Sequence, residues 1–369
     1  MKSKNKRIFG LLAVAAVWGI MSAAAMMKPS DEISESERRR LMQKPEFTAE
    51  NVINGSFMSQ FENYATDQFP MRDSFRRMKS IAVFGVFMEK ENNGIYIADG
   101  HAAKIEYPLN QSSVNSAVSK FSGIYEKYLS GTDANVYLSI VPDKHYFLAG
   151  KHGYPRPNYE KMIDTVRGGM DFAEYIDITD SLSIDDYYKT DPHWRQEKIL
   201  NAADKIAQSM GIGGYVTGDY REITAKEDFY GAYYGQSALP LRSDSIKYLT
   251  NDTLENCTVY NAENDTTCGI YDTEKLDSRD PYEFFLSGSS PLLVITNPNA
   301  PTDRRLTVFR DSFGSSLVPL LAEGYSQITL IDTRYISSAA LGEYVDFTDS
   351  DDVLFIYSTL LLNNSSTLR

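Results

Sequence analysis

One short stretch decides the predicted fold: Leu306-Thr307-Val308-Phe309-Arg310-Asp311-Ser312-Phe313-Gly314. Its first four residues are apolar or β-branched and predict a buried strand, and the residues from Ser315 to Glu323 predict a helix. A serine at such a strand-to-helix turn carries its hydroxyl above the sheet edge, close to free backbone N–H groups of the helix start. The stretch therefore predicts an α/β unit with Ser312 as a candidate nucleophile, although an Asp-Ser pair before a helix is more often simply a helix cap.

The same alternation of strands and helices continues on both sides of this stretch. Apolar runs predict further strands at 135–141, 292–296, 328–331 and 353–357, and apolar residues at helical spacing predict helices at 114–129, 159–166 and 194–210. Residues from about 220 to 288 break the pattern, since they are rich in Tyr, Asn, Asp and Thr and contain many turn residues. Alternating strands and helices favour a mainly parallel sheet covered on both faces, here with a β-rich or irregular insertion at 220–288.

A second stretch, Tyr187 to Trp194, places one of only four histidines beside one of only two tryptophans. Asp191 precedes His193 by two residues, so its carboxylate can accept the Nδ1 proton and leave Nε2 free to take a proton from a nucleophile. Pro192 between them restricts the backbone. The alternative is a surface loop in which Asp191 caps the following helix. Ser312 is a weak nucleophile without an adjacent base, and the Asp191/His193 pair would supply one.

The N-terminus carries an export signal. Four basic residues between Lys2 and Arg7 precede an uncharged apolar run from Ile8 to Met27. This pattern predicts a signal anchor or signal peptide over 1–28 with the N-terminus in the cytoplasm. Small residues near Ala25 permit cleavage, which would give a secreted protein, but the length of the run favours an uncleaved anchor. Residues 29–47 are polar and predict a tether, and 48–369 predict one α/β domain.

Composition excludes several classes of function. The 369 residues include 37 basic and 50 acidic side chains, a formal net charge of −13, which disfavours binding to nucleic acid. The chain is 42% hydrophobic, as expected for a globular core. Its two cysteines, Cys257 and Cys268, form no metal-ligand pattern, so a zinc site is not expected. No cofactor is expected either. The cysteines could close a hairpin disulfide or remain free thiols.

Three further side chains are candidate substrate contacts. Lys144 follows the strand 135–141, and strand ends are where open α/β sheets bind ligands; a surface turn is expected at its neighbour His145. Tyr230 lies in an aromatic cluster that could line a sugar-binding groove or could simply pack. Arg72 follows a helix-breaking proline and could contact substrate or form a surface salt bridge.

These motifs together resemble the DHHW family, which is similar to the alginate O-acetyltransferase group of SGNH hydrolase-like proteins. The resemblance rests mainly on Asp191-Pro192-His193-Trp194 and Arg310-Asp311-Ser312-Phe313-Gly314, and it extends over nearly the whole exported chain. It implies a three-layer α/β/α fold with Ser312 as nucleophile, His193 as general base and Asp191 as the group that orients His193.

Two positions depart from the family pattern. Pro192 stands where the family name has a histidine, so that position is not essential to the proposed chemistry. Arg310 stands where SGNH-type turns often have glycine, and it could narrow the approach to Ser312 or bind an anionic substrate. The second donor of an oxyanion hole has no evident candidate.

The leading hypothesis is acyl (acetyl) transfer to or from a sugar hydroxyl of an envelope polysaccharide or exopolysaccharide, outside the cytoplasm. The resemblance also implies a membrane acyltransferase partner that supplies the acyl group. The alternative hypothesis is an inactive relative that binds polysaccharide or organises an envelope complex. Transferase and esterase remain open at this point, because both use one acyl-enzyme.

Overall fold

The structure, a computed structural model, describes residues 2–216 and 218–369. Its α-helices are α1 Lys2–Met27, α2 Ala49–Ile53, α3 Ser56–Asp67, α4 Arg72–Gly85, α5 Gln111–Ile124, α6 Lys144–His152, α7 Tyr159–Gly169, α8 Leu200–Ser209, α9 Ala232–Ser237, α10 Asp252–Asn256, α11 Gly314–Leu317 and α12 Thr359–Asn363. Its strands are β1 Ile33–Ser34, β2 Arg39–Arg40, β3 Ile95–Ala98, β4 His101–Lys104, β5 Asn135–Val141, β6 Glu174–Tyr175, β7 Arg221–Phe229, β8 Asp244–Thr250, β9 Thr258–Asn261, β10 Thr266–Cys268, β11 Leu292–Thr296, β12 Arg305–Arg310, β13 Gln327–Ile331 and β14 Asp352–Ser358.

The chain forms two compact units. The larger unit contains residues 94–233 and 241–369, and the smaller unit contains the residues up to Asn93 together with 234–240. The predicted boundaries of tether and domain, at 29–47 and 48–369, stay predictions.

A mixed eight-stranded sheet organises the larger unit, in the order β10-β9-β11-β13-β12-β14-β5-β6. The five strands from β13 to β6 pair in parallel, while β11, β9 and β10 extend the sheet through antiparallel pairings. The predicted α/β class is confirmed, and the antiparallel extension was not predicted, because an apolar run does not encode the direction of its strand.

Both faces of the sheet are covered. Along β14 the side chains of Leu354 and Ile356 join the core that contains α8, whereas Phe355 and Tyr357 join the core that contains α5 and α7. Every residue of β14 is buried, which explains its continuous apolar sequence. The result is the expected three-layer α/β/α arrangement.

The parallel strands end at one edge of the sheet, where they deliver polar residues. Asp143 follows β5, Asp311 and Ser312 follow β12, and Asp332 follows β13. Loops at the carboxyl ends of parallel strands are the usual ligand-binding region of such folds. The topology therefore places Ser312 at the edge of the sheet where such folds usually bind ligands.

Several local predictions need correction. The helix predicted at 315–323 is only the short α11, continued by a 3-10 helix over Val318–Gly324, because Pro319 lacks the N–H that an α-helix needs. The helix predicted from Trp194 begins only at Leu200, after a 3-10 turn. His145 is buried within α6 and does not lie in a surface turn.

The segment predicted as an insertion divides into two parts. Strands β7 and β8 form a separate antiparallel hairpin with two irregularities in register. Strands β9 and β10 instead join the edge of the main sheet. Cys257 directly precedes β9 and Cys268 is the last residue of β10; both are free thiols, and burial raises the pKa of Cys257 to about 12.

The smaller unit contains α1, α2, α3 and α4. Within α1, the residues Ile8–Met27 form one helix long and apolar enough to cross a membrane or to act as a signal sequence. Beyond α1, the chain is tied to the end of α3 by the buried side chain of Gln68, which accepts from the Asp31 N–H and donates to the Asp31 carbonyl, both at 2.8 Å.

Candidate active site

The turn that carries Ser312 is pinned by its neighbour Asp311. One carboxylate oxygen of Asp311 accepts the Phe313 N–H at 3.0 Å, and the other accepts the N–H and hydroxyl of Ser358 at 2.8 and 2.6 Å. Ser358 ends β14, so the turn is fixed to the adjacent strand of the sheet. The helix-cap alternative for Asp311 is wrong, since α11 has Phe313 as its N-cap residue and no side-chain cap.

The loop that carries His193 closes on itself. Tyr187 and Trp194 form an antiparallel bridge, and the Tyr188 N–H donates to the His193 carbonyl at 3.1 Å. The fully buried indole of Trp194 donates to the Phe313 carbonyl at 3.1 Å and to the Ser316 hydroxyl at 2.9 Å. The tryptophan next to the histidine thus fastens this loop to the turn that carries Ser312.

The structure brings the three predicted residues together. Ser312 Oγ lies 2.7 Å from His193 Nε2, and His193 Nδ1 lies 2.6 Å from Asp191 Oδ1. The carboxylate accepts the Nδ1 proton, which leaves Nε2 as the acceptor for the serine hydroxyl. Asp191 is buried, while Ser312 is partly exposed. The relay therefore runs from a buried anion to a hydroxyl that solvent can reach.

Asp191 is held in place by the backbone after β7. Its second oxygen accepts the Ala232 N–H at 2.9 Å. A Cβ added at Gly231 would lie 2.3 Å from the Asp191 Cβ, so only glycine permits this close approach. The cap alternative for Asp191 is wrong: both oxygens serve the site, and α8 begins at Leu200 without a side-chain cap.

Lys144 stabilises the loop that carries Asp191 through hydrogen bonds to its backbone. Its ammonium donates to the carbonyls of Tyr188, Lys189 and Asp191 at 2.7, 3.2 and 3.0 Å. The side chain is buried, and this burial lowers its pKa to about 7. The expected substrate contact is corrected here, because an ammonium enclosed by three carbonyls positions the Asp191 loop and does not face a ligand.

Asp244, at the start of β8, fixes the other side of the loop. Its carboxylate accepts the N–H groups of Lys189 and Thr190 at 2.9 and 2.8 Å and the Thr190 hydroxyl at 2.6 Å. Thr190 in turn accepts the Gly231 N–H at 3.0 Å through its hydroxyl. The loop before Asp191 is thereby ordered without any help from substrate.

Tyr282 forms the wall beside His193. The two rings stack at 3.9 Å with an interplanar angle of 5°, and the Tyr282 hydroxyl lies 2.9 Å from the Ser316 hydroxyl. Burial raises the pKa of Tyr282 well above its usual range, so the phenol stays neutral. A flat neutral ring against the imidazole restricts its rotation and keeps Nε2 directed at Ser312.

Arg310 also differs from expectation. Its guanidinium is buried, donates to the Ser315 hydroxyl at 3.1 Å, and lies 3.7 Å from the Asp332 carboxylate. Burial lowers its pKa, and the nearby Asp332 opposes that effect. Arg310 was expected to narrow the approach to Ser312 or to bind an anionic substrate. Both expectations are corrected, because the buried side chain contacts Ser315 and Asp332 and so stabilises the turn.

The other two candidates lie elsewhere in the chain. Tyr230 is exposed and directly precedes Gly231, which contacts Asp191. Arg72 belongs to the smaller unit and forms an ion pair with Glu37 at 2.5 Å. This is the salt bridge that the sequence offered as the alternative to a substrate contact. Tyr230 remains a candidate substrate contact by its place in the sequence next to the site.

The sequence did not reveal the roles of Trp194, Tyr282, Asp244 or Gly231. Trp194 was noticed only as a rare residue beside His193. Tyr282 and Asp244 lie far from the motifs in sequence, and no local pattern distinguishes them from ordinary surface or core residues. Gly231 lies within the aromatic cluster at 229–234, and that position was its only signal.

Comparisons with known proteins bear on the family and the fold. The sequence model of the DHHW family, described as DHHW protein, matches residues 164–331. A crystal structure of a DHHW family protein from Eubacterium siraeum is similar with a TM-score of 0.57 and 22% identity, covering 75% of this chain and 95% of that one. No curated protein matches the sequence.

Bacillus cereus PatB1 is similar with a TM-score of 0.58 and 18% identity, covering 73% of this chain and 96% of that one. A second PatB1 structure, with a sulfonyl adduct, has a TM-score of 0.57, 18% identity and coverage of 73% and 95%. At these identities the likeness shows the fold. The resemblance inferred from the sequence is thus confirmed: residues 164–331, which contain Asp191, His193 and Ser312, match the DHHW family.

Proposed function

We propose that the protein is a serine-dependent acyltransferase or acylesterase that moves an acetyl group to or from a sugar hydroxyl outside the cytoplasm. The observation that carries this proposal is the continuous relay from Asp191 through His193 to the partly exposed Ser312, with separations of 2.6 and 2.7 Å. Such a relay is the arrangement that activates a serine hydroxyl.

The first half of the reaction forms an acyl-enzyme. Ser312 Oγ attacks the acyl carbonyl carbon while His193 Nε2 takes the hydroxyl proton, and Asp191 stabilises the resulting imidazolium. When the tetrahedral intermediate collapses, the bond to the leaving oxygen breaks and His193 returns the proton to that oxygen.

The second half repeats these steps with a different oxygen. His193 takes a proton from a sugar hydroxyl or from water, and that oxygen attacks the acyl carbon bound to Ser312. Collapse releases the ester or acid, and the proton on His193 returns to Ser312 Oγ. Transferase and esterase differ only in the acceptor, so the groups that exclude water decide between them.

Two observations support the proposed substrate and location. The membrane-length helix at the N-terminus supports an anchored or secreted protein, and the family resemblance supports a polysaccharide acceptor. Tyr230 is exposed, and it directly precedes Gly231, which contacts Asp191. Its aromatic ring is suited to stack on a sugar ring. A membrane acyltransferase is the proposed source of the acyl group.

Replacing the nucleophile tests the proposal. Ser312→Ala should lower turnover of p-nitrophenyl acetate by about 10³-fold or more, because no other group replaces the nucleophile. Ser289→Ala, the same change at an exposed serine of the larger unit, is the matched control and should keep full turnover. Equal turnover in the wild type and Ser312→Ala would contradict the proposal and favour a polysaccharide-binding role.

A competition experiment identifies the acceptor. With p-nitrophenyl acetate as donor, a chito-oligosaccharide or cello-oligosaccharide that gains an acetyl group by mass spectrometry indicates a transferase. Acetate release alone, at the same rate with and without oligosaccharide, indicates an esterase for these acceptors.

A further inference from the structure

Helix α4 in the smaller unit has its apolar face outward. Met71, just before the helix, and Phe75, Met78 and Ile81 within it recur at three to four residues and are between 45% and 68% exposed. Helices of soluble proteins normally bury such a stripe. The only buried residue of α4 is Ser80.

The polar side of α4 is the side that packs. Arg76 donates to the Gly235 carbonyl at 2.8 Å and lies 3.1 Å from Glu37, and the Ser80 hydroxyl donates to the Ser237 carbonyl at 2.7 Å. Rotating the helix to hide its apolar stripe would break all of these contacts. The outward orientation is therefore fixed by hydrogen bonds.

Helix α3 adds a second exposed apolar stripe. Met58 and Phe61 are 65% and 43% exposed, and an open groove of about 1300 Å³ runs between them and Phe75 of α4. In the described part of the smaller unit, Leu41 and Ala238 are the only buried apolar side chains. The unit therefore has almost no core of its own and requires another apolar surface.

The position of these helices along the chain indicates which surface that is. The membrane-length helix ends at Met27, and Asp31, four residues later, is bonded through both its N–H and its carbonyl to Gln68 at the end of α3. Four residues span at most about 14 Å. A bilayer has roughly 5–8 Å of headgroup region on each side of its hydrocarbon core. If α1 crosses a membrane, the end of α3 lies at the headgroups.

Charge supports the same location. Residues 28–93 contain ten Lys and Arg and eleven Asp and Glu, whereas residues 94–369 contain 23 basic and 39 acidic side chains. Anionic lipid repels a strongly acidic surface much more than a nearly neutral one. The near-neutral segment is the one with exposed Met, Phe and Ile.

We infer that α3 and α4 lie in the outer headgroup region of the membrane that α1 spans, with Met71, Phe75, Met78 and Ile81 in contact with lipid acyl chains. The occupant of the exposed apolar surface is the lipid bilayer itself. Amphipathic helices bind membranes in this way when their apolar face enters the boundary between headgroups and acyl chains. This inference concerns membrane contact and is independent of the chemistry at Ser312.

Tryptophan fluorescence of the full-length protein in phosphatidylcholine vesicles tests the inference. In a Trp18→Phe background, Met78→Trp places a reporter on the stripe, and Asp73→Trp places one at an exposed residue on the polar side of the same helix. Trp194 is common to both variants and cancels in the comparison. The Met78→Trp signal should shift to shorter wavelength in vesicles and be quenched by brominated acyl chains, and the Asp73→Trp signal should do neither.

Two outcomes would overturn the inference. Equal quenching and equal wavelength for the two reporters in vesicles would mean that the stripe does not enter lipid. A shift of the Met78→Trp signal that follows protein concentration in detergent, without any response to brominated lipid, would assign the surface to a second copy of the chain. Ester hydrolysis by the same samples serves as a separate readout of the site.

Discussion

The two units bury their apolar residues in opposite ways. The larger unit encloses its sheet between two cores, and among its described residues the exposed large apolar side chains are all tyrosines except Ile223. In the smaller unit, exposed side chains such as Ile53, Met78 and Phe87 lack any hydroxyl, and they are between 64% and 86% exposed. Exposed apolar side chains of this kind mark contact surfaces, and the proposed membrane contact would cover those of the smaller unit.

The difference in packing between the two units suits two different roles, catalysis and membrane attachment. Catalysis by a relay needs distances fixed to fractions of an ångström, which a packed core provides. Attachment to a membrane needs apolar area and tolerates loose packing.

The largest effect is expected at Asp191. Asp191→Asn keeps the size of the side chain but no longer fixes the tautomer or stabilises the imidazolium, so turnover of p-nitrophenyl acetate should fall about 10³- to 10⁴-fold. The loss should be the same in detergent and in lipid if the chemistry belongs to the larger unit alone. Asp185→Asn, at a nearby exposed aspartate, should retain activity, and a comparable loss there would break the assignment.

Loss of a phenylalanine ring should lower the free energy of unfolding by several kcal/mol more in the larger unit than in the smaller one. Phe355→Ala removes a fully buried ring from β14 and should lower the free energy of unfolding by about 3–5 kcal/mol. Phe87→Ala removes a ring that is 69% exposed and should change it by about 0.5 kcal/mol or less in detergent. Urea unfolding followed by far-UV circular dichroism reports on both units, and equal losses would contradict the comparison.

Alanine substitutions at two glycines compare the active site with the smaller unit. Gly231→Ala would place its Cβ 2.3 Å from the Asp191 Cβ, and the displaced carboxylate should reduce kcat/KM by about 10- to 100-fold. Gly85→Ala at the end of α4 meets open space and should leave kcat/KM unchanged. Steady-state kinetics of the two variants distinguishes them, and an active Gly231→Ala enzyme would show that Asp191 tolerates displacement.

The smallest effect is a pH dependence of stability. Burial lowers the pKa of Lys144 to about 7, while the unfolded chain holds that proton up to about 10.5. Between these values the unfolded state binds more protons, so this contribution to stability rises with pH and is lost as pH falls towards 7. The free energy of unfolding relative to Lys144→Met should rise by about 2 kcal/mol between about pH 7.5 and 9.5.

Lys79→Met removes an exposed lysine from the smaller unit and is the matched control for that measurement. Urea unfolding of all three proteins at both pH values gives the comparison. A difference between wild type and Lys144→Met that stays constant with pH would mean that Lys144 keeps its proton throughout.

Much of the larger unit could be predicted because its signals are local. The apolar runs at 135–141 and 292–296 gave strands with the correct bounds, and the pairing of Asp191 with His193 follows from their spacing. Tertiary features were missed for a physical reason. The burial of Lys144 and Arg310 depends on which backbone folds over them, and nothing adjacent to them in sequence specifies that.

The smaller unit was harder to interpret for the opposite reason. Helices α3 and α4 have apolar residues at helical spacing, but spacing alone does not say which face of a helix meets the protein. The rule that apolar residues face inward applies to proteins in water. Phe75 and Met78 depart from that rule, and the departure became visible only from their exposure.

The most direct test of the central claim is the site of covalent labelling by phenylmethylsulfonyl fluoride. Peptide mass spectrometry of the labelled full-length protein should locate a sulfonyl group on Ser312 in the wild type, because His193 activates that hydroxyl at 2.7 Å. The label should be absent from Ser312 in His193→Ala. A wild-type protein without label at Ser312, or a His193→Ala variant labelled there at the same rate, would contradict the account.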